Sequence, residues 1–302
     1  MDGTDGLIDA TFDRLRQFPP LADHLSHRPD QNLFHYTTAT GAIGILKSGT
    51  IWASHQETLN DVSETSFSAD VLRTEFTNFV ESRKPNEQAI EALLFYFDMA
   101  EIKDLPMSVF VASFTERGDL LSQWERYAGP HGYSIGFDAE KLRRILAANG
   151  HVIHSVIYDE LRQRSILEHI FDIAFDRLDA GDFGDPSEEN LKRWAYVHSL
   201  LARSFSLTFK HPSFEEEHEW RVQITIRHDD TSQLDIRPGN FGVVPYFSLP
   251  LTMEDEKALS CVNIAPTRYE VEAKKAMELT LLHYKYEVDS ENVQVSTVPL
   301  RS

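Results

Sequence analysis

Two carboxylates stand two residues apart in FEEEHEWRVQITIR, residues 214–227, where Glu217 and Glu219 flank His218. The stretch that follows alternates as a strand does. Trp220, Val222, Ile224 and Ile226 make an apolar face, and Glu219, Arg221 and Gln223 make the other, with Glu217 on that same side if the strand begins early. Two carboxylates gathered at the mouth of a strand repel each other, which raises at least one pKa unless a cation or a substrate hydroxyl compensates. A second candidate is NLFHYTT, residues 32–38, which sets His35 and Thr37 on one face and Phe34 and Tyr36 on the other. A third is SVFVASFT, residues 108–115, with Ser113 and Thr115 sharing a face. Taken singly, each also has a plain structural reading: a solvated acidic strand end with Arg221 as its cross-strand partner, a hydrogen-bonded histidine, ordinary strand hydroxyls.

The elements that must position these groups follow from periodicity and end signals. Leu7, Ile8, Phe12, Leu15 and Phe18 predict a helix over 7–18 that Pro19-Pro20 stops. The strand at 32–38 runs into a short helix closed by Gly49, a residue suited to a left-handed C-cap. A brief strand at 51–54 and the polar loop HQETLNDVSE lead to helices over about 64–83 and 86–100. In LNDVSE, Asn60, Asp61 and Glu64 suit turn and capping roles, with a loop over a ligand as the functional alternative. After the strand at 108–115, residues 119–128 predict a helix carrying Gln123, Trp124 and Tyr127, residues 131–138 a strand, and 138–150 a helix capped by Asp138. A strand at 151–157 and helices over about 160–180 and 187–209 precede the strand at 219–228. Shorter strands fall at 242–247, 260–265 and 292–298, with a helix over about 268–285. The rhythm is not a regular βαβ repeat, and GAIGILKSG is not a nucleotide fingerprint, because its glycines sit inside and after a helix. The expectation is one α+β domain spanning 1–302, with 1–30 as a helical extension and about 160–209 as a helical insertion or flank.

Composition narrows the chemistry. The chain has 302 residues, 41% of them apolar and 25% charged, as in ordinary globular proteins. A net charge of −19 repels nucleic acid and anionic membrane at long range, so either partner requires a local basic patch. No stretch approaches the roughly 20 apolar residues of a membrane span. The N-terminus lacks the basic-then-apolar order of a signal peptide, so a cytoplasmic protein is expected. The single Cys261 excludes an intrachain disulfide and a cysteine zinc site, and reads as packing in LSCVNIA. His211 and His218 straddle Pro212 without a ligand spacing such as H-E-x-x-H, and no metal is expected.

The three strands together resemble a known constellation. HYT, followed at once by a short helix and GTIWAS, resembles the opening of the ADP-ribosyltransferase fold, and is similar to that of RNA 2′-phosphotransferases and DNA-modifying ADP-ribosyltransferase toxins. ASFT resembles the Ser-Thr-Ser strand of the arginine-type transferases, with Phe114 in the middle place. Glu217-His218-Glu219 matches their Glu-x-Glu, whose second carboxylate is catalytic. Those enzymes carry Arg where this chain has His35, so the chain pairs a His-type first motif with a Glu-x-Glu third motif. As a whole the chain is more similar to a bacterial family known only as a domain of unknown function, through LFHYTT, LNDVSE, SFTERGDLLSQWERYAGPHGYSIGF, FEEEHEWRV and VSTVPLR.

The resemblance implies an α+β fold of split mixed and antiparallel sheets with flanking helices, acting on NAD as substrate. Cleavage of the nicotinamide–ribose bond passes through an oxocarbenium-like state, as glycoside hydrolysis does, and needs a carboxylate beside the ribose. Glu219 takes that role by the resemblance, Glu217 positions the acceptor, and His35 binds the adenosine-side ribose. Thr37 or Ser113 fixes sugar or phosphate, Tyr127 or Tyr36 stacks on nicotinamide, and Arg221, Arg126 or Lys210 meets the pyrophosphate. The expected activity is transfer of ADP-ribose to a protein or nucleic-acid acceptor. The alternatives are NAD glycohydrolysis, RNA 2′-phosphotransfer, and nucleotide binding without turnover.

Overall fold

The computed structural model describes residues 11, 13–15, 17–58, 62–101, 107–185, 187–239, 242–254, 256–287 and 289–299. The architecture is α+β: a mixed, mostly antiparallel sheet with flanking helices. The chain divides into two compact units, one formed by Met1–His27, Leu59–Met107 and Val156–Glu215, the other by Arg28–Thr58, Ser108–Ser155 and Glu216–Ser302.

The first unit is helical. Its helices span Pro19–Ser26, Val62–Arg83, Glu87–Glu101, Glu160–Asp179 and Glu188–Ser206. Asp159 and Ser187 cap the last two by accepting from the backbone N–H of Arg162 and Asn190, which satisfies donors that a helix start leaves open. The buried faces meet in an aromatic core. Phe76 and Phe79 pack against Phe171, Phe79 stacks with Phe175 at 5.4 Å, and Phe175 meets the fully buried Trp194 edge-on at 5.1 Å. The Trp194 indole N–H donates to the Ala174 carbonyl, so its one polar atom is satisfied inside the core. Helical geometry gives way to a turn at 17–18, before Pro19-Pro20, and these prolines also open a further helix that was not anticipated. Proline has no N–H to lose at the first helical positions and its φ is already suitable there. The expected 7–18 helix falls largely outside the described residues, of which 11 and 13–15 are helical.

The second unit holds the sheet. Its strands are β1 (Leu33–Thr37), β2 (Thr50–His55), β3 (Met107–Thr115), β4 (Tyr133–Phe137), β5 (Ile153–Ser155), β6 (Glu219–Arg227), β7 (Leu234–Gly239), β8 (Gly242–Pro250), β11 (Leu259–Ile264) and β12 (Val293–Val295); β9 (Thr252–Met253) and β10 (Glu256–Lys257) pair apart. The order is β12-β11-β4-β1-β3-β2-β8-β7, with β6 on β3 and β5 on β6. β11 and β12 run parallel. One face buries Leu33, Ala53, Phe110, Phe114, Trp220, Val222, Ile224 and Ile226, so the alternation read from β6 holds in the packed core. Helices Ala39–Ser48 and Ala139–Ala148 contribute Ala42, Ile45, Leu142 and Ile145 to the same core. The first is capped by Thr38 and ends at Gly49, whose φ of 67° is the left-handed cap expected. At its start Gly41 lies so close to β1 that a Cβ there would stand 2.0 Å from the Thr37 hydroxyl.

Two further differences bear on the site. The helix expected over 119–128 is a short α-turn, Leu121–Gln123, running into a π-helical turn, Trp124–Ala128. β7, unanticipated, is the edge strand LDIRPG. Its Pro and Gly disguise a strand in sequence and are tolerated because an edge leaves one side of the ladder unpaired.

Candidate functional site

The HYT and Glu-x-Glu motifs meet on β3, through Thr115. β1 pairs with β3 at Phe34↔Thr115. From there the His35 ring takes over, its Nδ1–H donating to the Ser113 carbonyl at 2.9 Å. On the β6 side the Thr115 hydroxyl donates to the Glu217 carbonyl, and the Glu116 N–H donates to the His218 carbonyl at 3.2 Å. Thr115 is thus the ladder partner of Phe34, the residue before HYT, and the hydrogen-bond partner of Glu217. All of these groups belong to the sheet unit.

The two carboxylates are buried but differently held. Glu219, 6% exposed, receives Arg221 Nε at 2.6 Å on one oxygen and Nη2 at 2.9 Å on the other. Both side chains project from the polar face of β6, two residues apart on a pleated strand, and form a two-pronged charge-assisted pair. Arg221 is itself 8% exposed and stands opposite His154 of β5. Glu217, 3% exposed, lies in the 3-10 turn before β6 and meets Arg126 Nη1 at 3.4 Å. Between them His218 has a left-handed backbone, φ 43°, so β6 begins at Glu219 and Glu217 does not continue the strand's polar face. The strand therefore lacks the early start under which the two carboxylates would share a side. His218 is turned outward, its Nε2 3.3 Å from Arg117 Nη2 and its Nδ1 3.6 Å from Glu116 Oε2.

His35 is half-buried. Burial pushes its pKa below the ordinary imidazole value, opposed by the bond to Ser113. A carbonyl only accepts, so Nδ1 carries the proton and the neutral ring keeps Nε2 as an acceptor. Thr37 and Ser113 are half-buried on their strands. Tyr36 is built into the interior. Its ring packs edge-on against Trp124 at 4.8 Å, its hydroxyl donates to the Arg117 carbonyl at 2.8 Å and accepts from the Leu120 N–H at 2.9 Å, and burial raises its pKa. Tyr127 is the exposed aromatic, 36% accessible on the π-turn beside Arg126. Lys210 belongs to the helical unit, where it is fully buried with Nζ over the Phe214 ring. Asn60 and Asp61 lie outside the described residues, as does the Glu64 side chain.

A hollow of about 670 Å³ opens beside these groups, lined by Glu116, Arg117, Gly118, Asp119, Leu120, Glu216 and His218. His35, Ser113 and Glu219 do not line it. The sequence reading passed over Glu116, Arg117 and Asp119. Their position directly after the ASFT strand, and the Asp-x4-Trp spacing that lets Asp119 accept from the Trp124 indole at 2.7 Å, were the available signals. Among the described residues no group of three or more His, Cys, Asp and Glu is set to hold a metal ion. No described helix is long and apolar enough to cross a membrane.

Residues 123–222 match a family described as a protein of unknown function, DUF2971. The match takes in WERYAG and EEEHEWRV, and with them Tyr127, Glu217, Glu219 and Arg221. No curated protein and no solved structure matches the chain.

Proposed function

We propose that the chain is an NAD-consuming enzyme of ADP-ribosyltransferase type, which breaks the bond between nicotinamide and ribose and passes ADP-ribose to a macromolecular acceptor. The observation that supports this reading is that β3 carries contacts to both motifs, the His35 ring donating to the Ser113 carbonyl and the Thr115 hydroxyl to the Glu217 carbonyl. The chemistry asks for a fixed negative charge beside the ribose and a hydroxyl-binding group opposite. Arg221 donates to each oxygen of the buried Glu219 and so holds it as a carboxylate, the charged form this chemistry requires. The glycosidic carbon–nitrogen bond breaks with its electron pair going to nicotinamide, and the positive charge on the ribose is met by the carboxylate without reorganisation. The acceptor's lone pair then bonds to the same carbon as the acceptor loses a proton. His35, neutral and with its tautomer set by Ser113, accepts from a ribose hydroxyl through Nε2. Tyr127 supplies the exposed ring for nicotinamide, and Arg126 the exposed cation for the pyrophosphate.

The test is release of nicotinamide from NAD, measured with cell lysate as acceptor source and with buffer alone. Wild type is expected to release it, and Glu219→Gln to lose on the order of 100-fold in rate. An unchanged rate in Glu219→Gln with a collapse in Glu217→Gln moves the role to Glu217. Release in buffer alone makes water the acceptor. One observation favours a second reading, nucleotide binding without turnover: both Glu219 oxygens already hold Arg221. NAD binding by calorimetry with no nicotinamide release is the outcome that selects it.

A further inference from the structure

The hollow's wall, residues 116–120, lacks helix or strand geometry, so its shape must come from contacts outside its own backbone. Tyr36 grips it from β1, holding the Arg117 carbonyl and the Leu120 N–H with one hydroxyl. Asn263 of β11 donates to the Gly118 carbonyl at 2.9 Å. Asp119 is held by a segment more than 170 residues away. The Ser296 hydroxyl donates to Asp119 Oδ1, the Thr297 N–H donates to Oδ2 at 3.1 Å, and the Thr297 hydroxyl reaches the same oxygen at 3.3 Å. With the Trp124 indole at 2.7 Å, one carboxylate collects four donors from two distant stretches of chain.

The segment that reaches Asp119 is itself led there by the sheet. Ser296 N–H donates to the Ile264 carbonyl at 2.9 Å and so prolongs the β11–β12 pairing. Val298 then packs on the small apolar cluster of Tyr36, Trp124, Ala128 and Ala265. That cluster contains both aromatics that hold the wall: Tyr36 through its hydroxyl and Trp124 through its bond to Asp119.

We infer that residues 296–298 are a strap that fixes the wall of the hollow through Asp119, so that seating or releasing this segment sets the shape of the pocket. Asp119 is a positioning residue: it acts on the pocket by tying the wall to the strap. The inference does not depend on which ligand the pocket takes. It gives VSTVPLR a role that the catalytic reading leaves unassigned.

Hydrogen exchange on the full chain tests it without requiring activity. Asp119→Asn keeps the shape of the side chain but replaces one acceptor oxygen by a donor, and Ser296→Ala with Thr297→Ala removes two donors. A chain ending after Val295 removes the strap whole. The amides of 117–121 and the Trp124 indole N–H are expected to exchange on the order of ten-fold faster in each variant, as local opening becomes easier. The amides of Ala139–Ala148, in the same unit, are expected to keep their native rates. Native exchange of 117–121 in Asp119→Asn overturns the inference, because Tyr36 and Asn263 then suffice to hold the wall. Equal acceleration in Ala139–Ala148 also overturns it, because the variants then act on the whole unit. Should the shortened chain fail to fold, the two side-chain variants decide the question.

Discussion

Arg177, in the helical unit, spreads its guanidinium over partners of several kinds: the Asp182 carboxylate at 2.9 Å, the Thr11 hydroxyl, and the ring of Phe183 at 5.0 Å. Asp182 keeps 30% of its side chain in solvent, so the negative partner is only partly desolvated. Arg221, in the sheet unit, closes two prongs on Glu219, and both residues are buried. Interior charge is put to different use in the two cases. Arg177 staples the loop after its helix to a residue near the N-terminus, with its charge drained toward solvent through Asp182. The Glu219–Arg221 pair withdraws two full charges from water on the polar face of one strand. An apolar pair of similar volume would serve stability there at least as well. The contrast is physical: the helical unit leaves its ion pair partly wetted and ties a loop with it, whereas the sheet unit buries a whole pair that stability alone does not require, which is the pair the proposed function uses.

Removing one partner from each arginine pair sharpens the contrast most. Arg221→Met takes the Arg221 guanidinium from the buried Glu219 and is expected to cost about 3–5 kcal/mol by urea denaturation. Adding Glu219→Leu to that variant is expected to restore stability to within about 1 kcal/mol of wild type, because the buried carboxylate is gone. Arg177→Met is expected to cost less, about 1–3 kcal/mol, since Asp182 can rehydrate where it stands. Equal losses from the two single substitutions would end the distinction drawn above.

Protonation gives the next largest effect, and it separates the units again. His198 in the helical core donates from Nδ1 to the Trp194 carbonyl, while its Nε2 is buried without a hydrogen-bond partner. Burial is the main reason its pKa is pushed down to about 3, with the Arg177 charge adding to it. The unfolded chain therefore binds a proton between about pH 6.5 and about 3 that the folded chain does not. Stability from this group is complete above pH 6.5 and falls with acid, by about 1.4 kcal/mol per pH unit inside that window. In His198→Leu, the stability difference between pH 6 and pH 5 is expected to shrink by that amount. His35 acts in the same direction in the sheet unit, because its pKa too is lowered mainly by burial.

What could be read in the sequence divides along similar lines. β6 was legible because its apolar residues alternate with period two and pack into a core, whereas β1, also read from alternation, buries Leu33 on one face and Tyr36 on the other. The helices Glu160–Asp179 and Glu188–Ser206 fall within a few residues of the expected ranges, and Asp159 and Ser187 cap them. The site was legible in its strands and less so in its junctions. EEEHEWRV reads as continuous strand, and nothing in its local composition signals the left-handed turn at His218, whose side chain meets Glu116 and Arg117 about a hundred residues earlier. Tyr36 carries an aromatic ring suited to stacking, yet its burial against Trp124 depends on a helix-like turn whose π geometry local propensity does not encode. The pairing of Glu219 with Arg221 was within reach, because residues two apart on a strand share a face. That both would be desolvated follows only from the packing around them.

A smaller effect concerns the wall of the hollow. Tyr36→Phe keeps the ring against Trp124 but strips the hydroxyl from the Arg117 carbonyl and the Leu120 N–H. Leaving those backbone groups without that partner is expected to cost about 1–3 kcal/mol. The loss should appear as faster amide exchange at Leu120, with the β11 amides unchanged. Acceleration across β11 as well would mean that Tyr36 supports the sheet as a whole and not this wall.

The smallest expected effect tests the turn that sets the two carboxylates apart. His218 adopts φ 43°, a conformation glycine takes without the crowding a Cβ brings. His218→Gly thus relieves backbone strain of about 1 kcal/mol but gives up the side-chain contacts to Glu116 and Arg117 and adds freedom to the unfolded chain. Those contacts are exposed and so individually weak. The net change in stability is expected to stay within about 1 kcal/mol of zero. His218→Val is the informative partner, because a β-branched residue resists the left-handed region and pushes the segment back toward extended strand. That variant is expected to pull Glu217 away from Arg126 and toward the face that carries Glu219, where two like charges must share one cation. Its stability should fall below that of His218→Gly at pH 7, and the gap should narrow as acid protonates a carboxylate. A gap that does not change with pH would show that the turn separates shapes and not charges, and the different holding of Glu217 and Glu219 would then be a matter of packing alone.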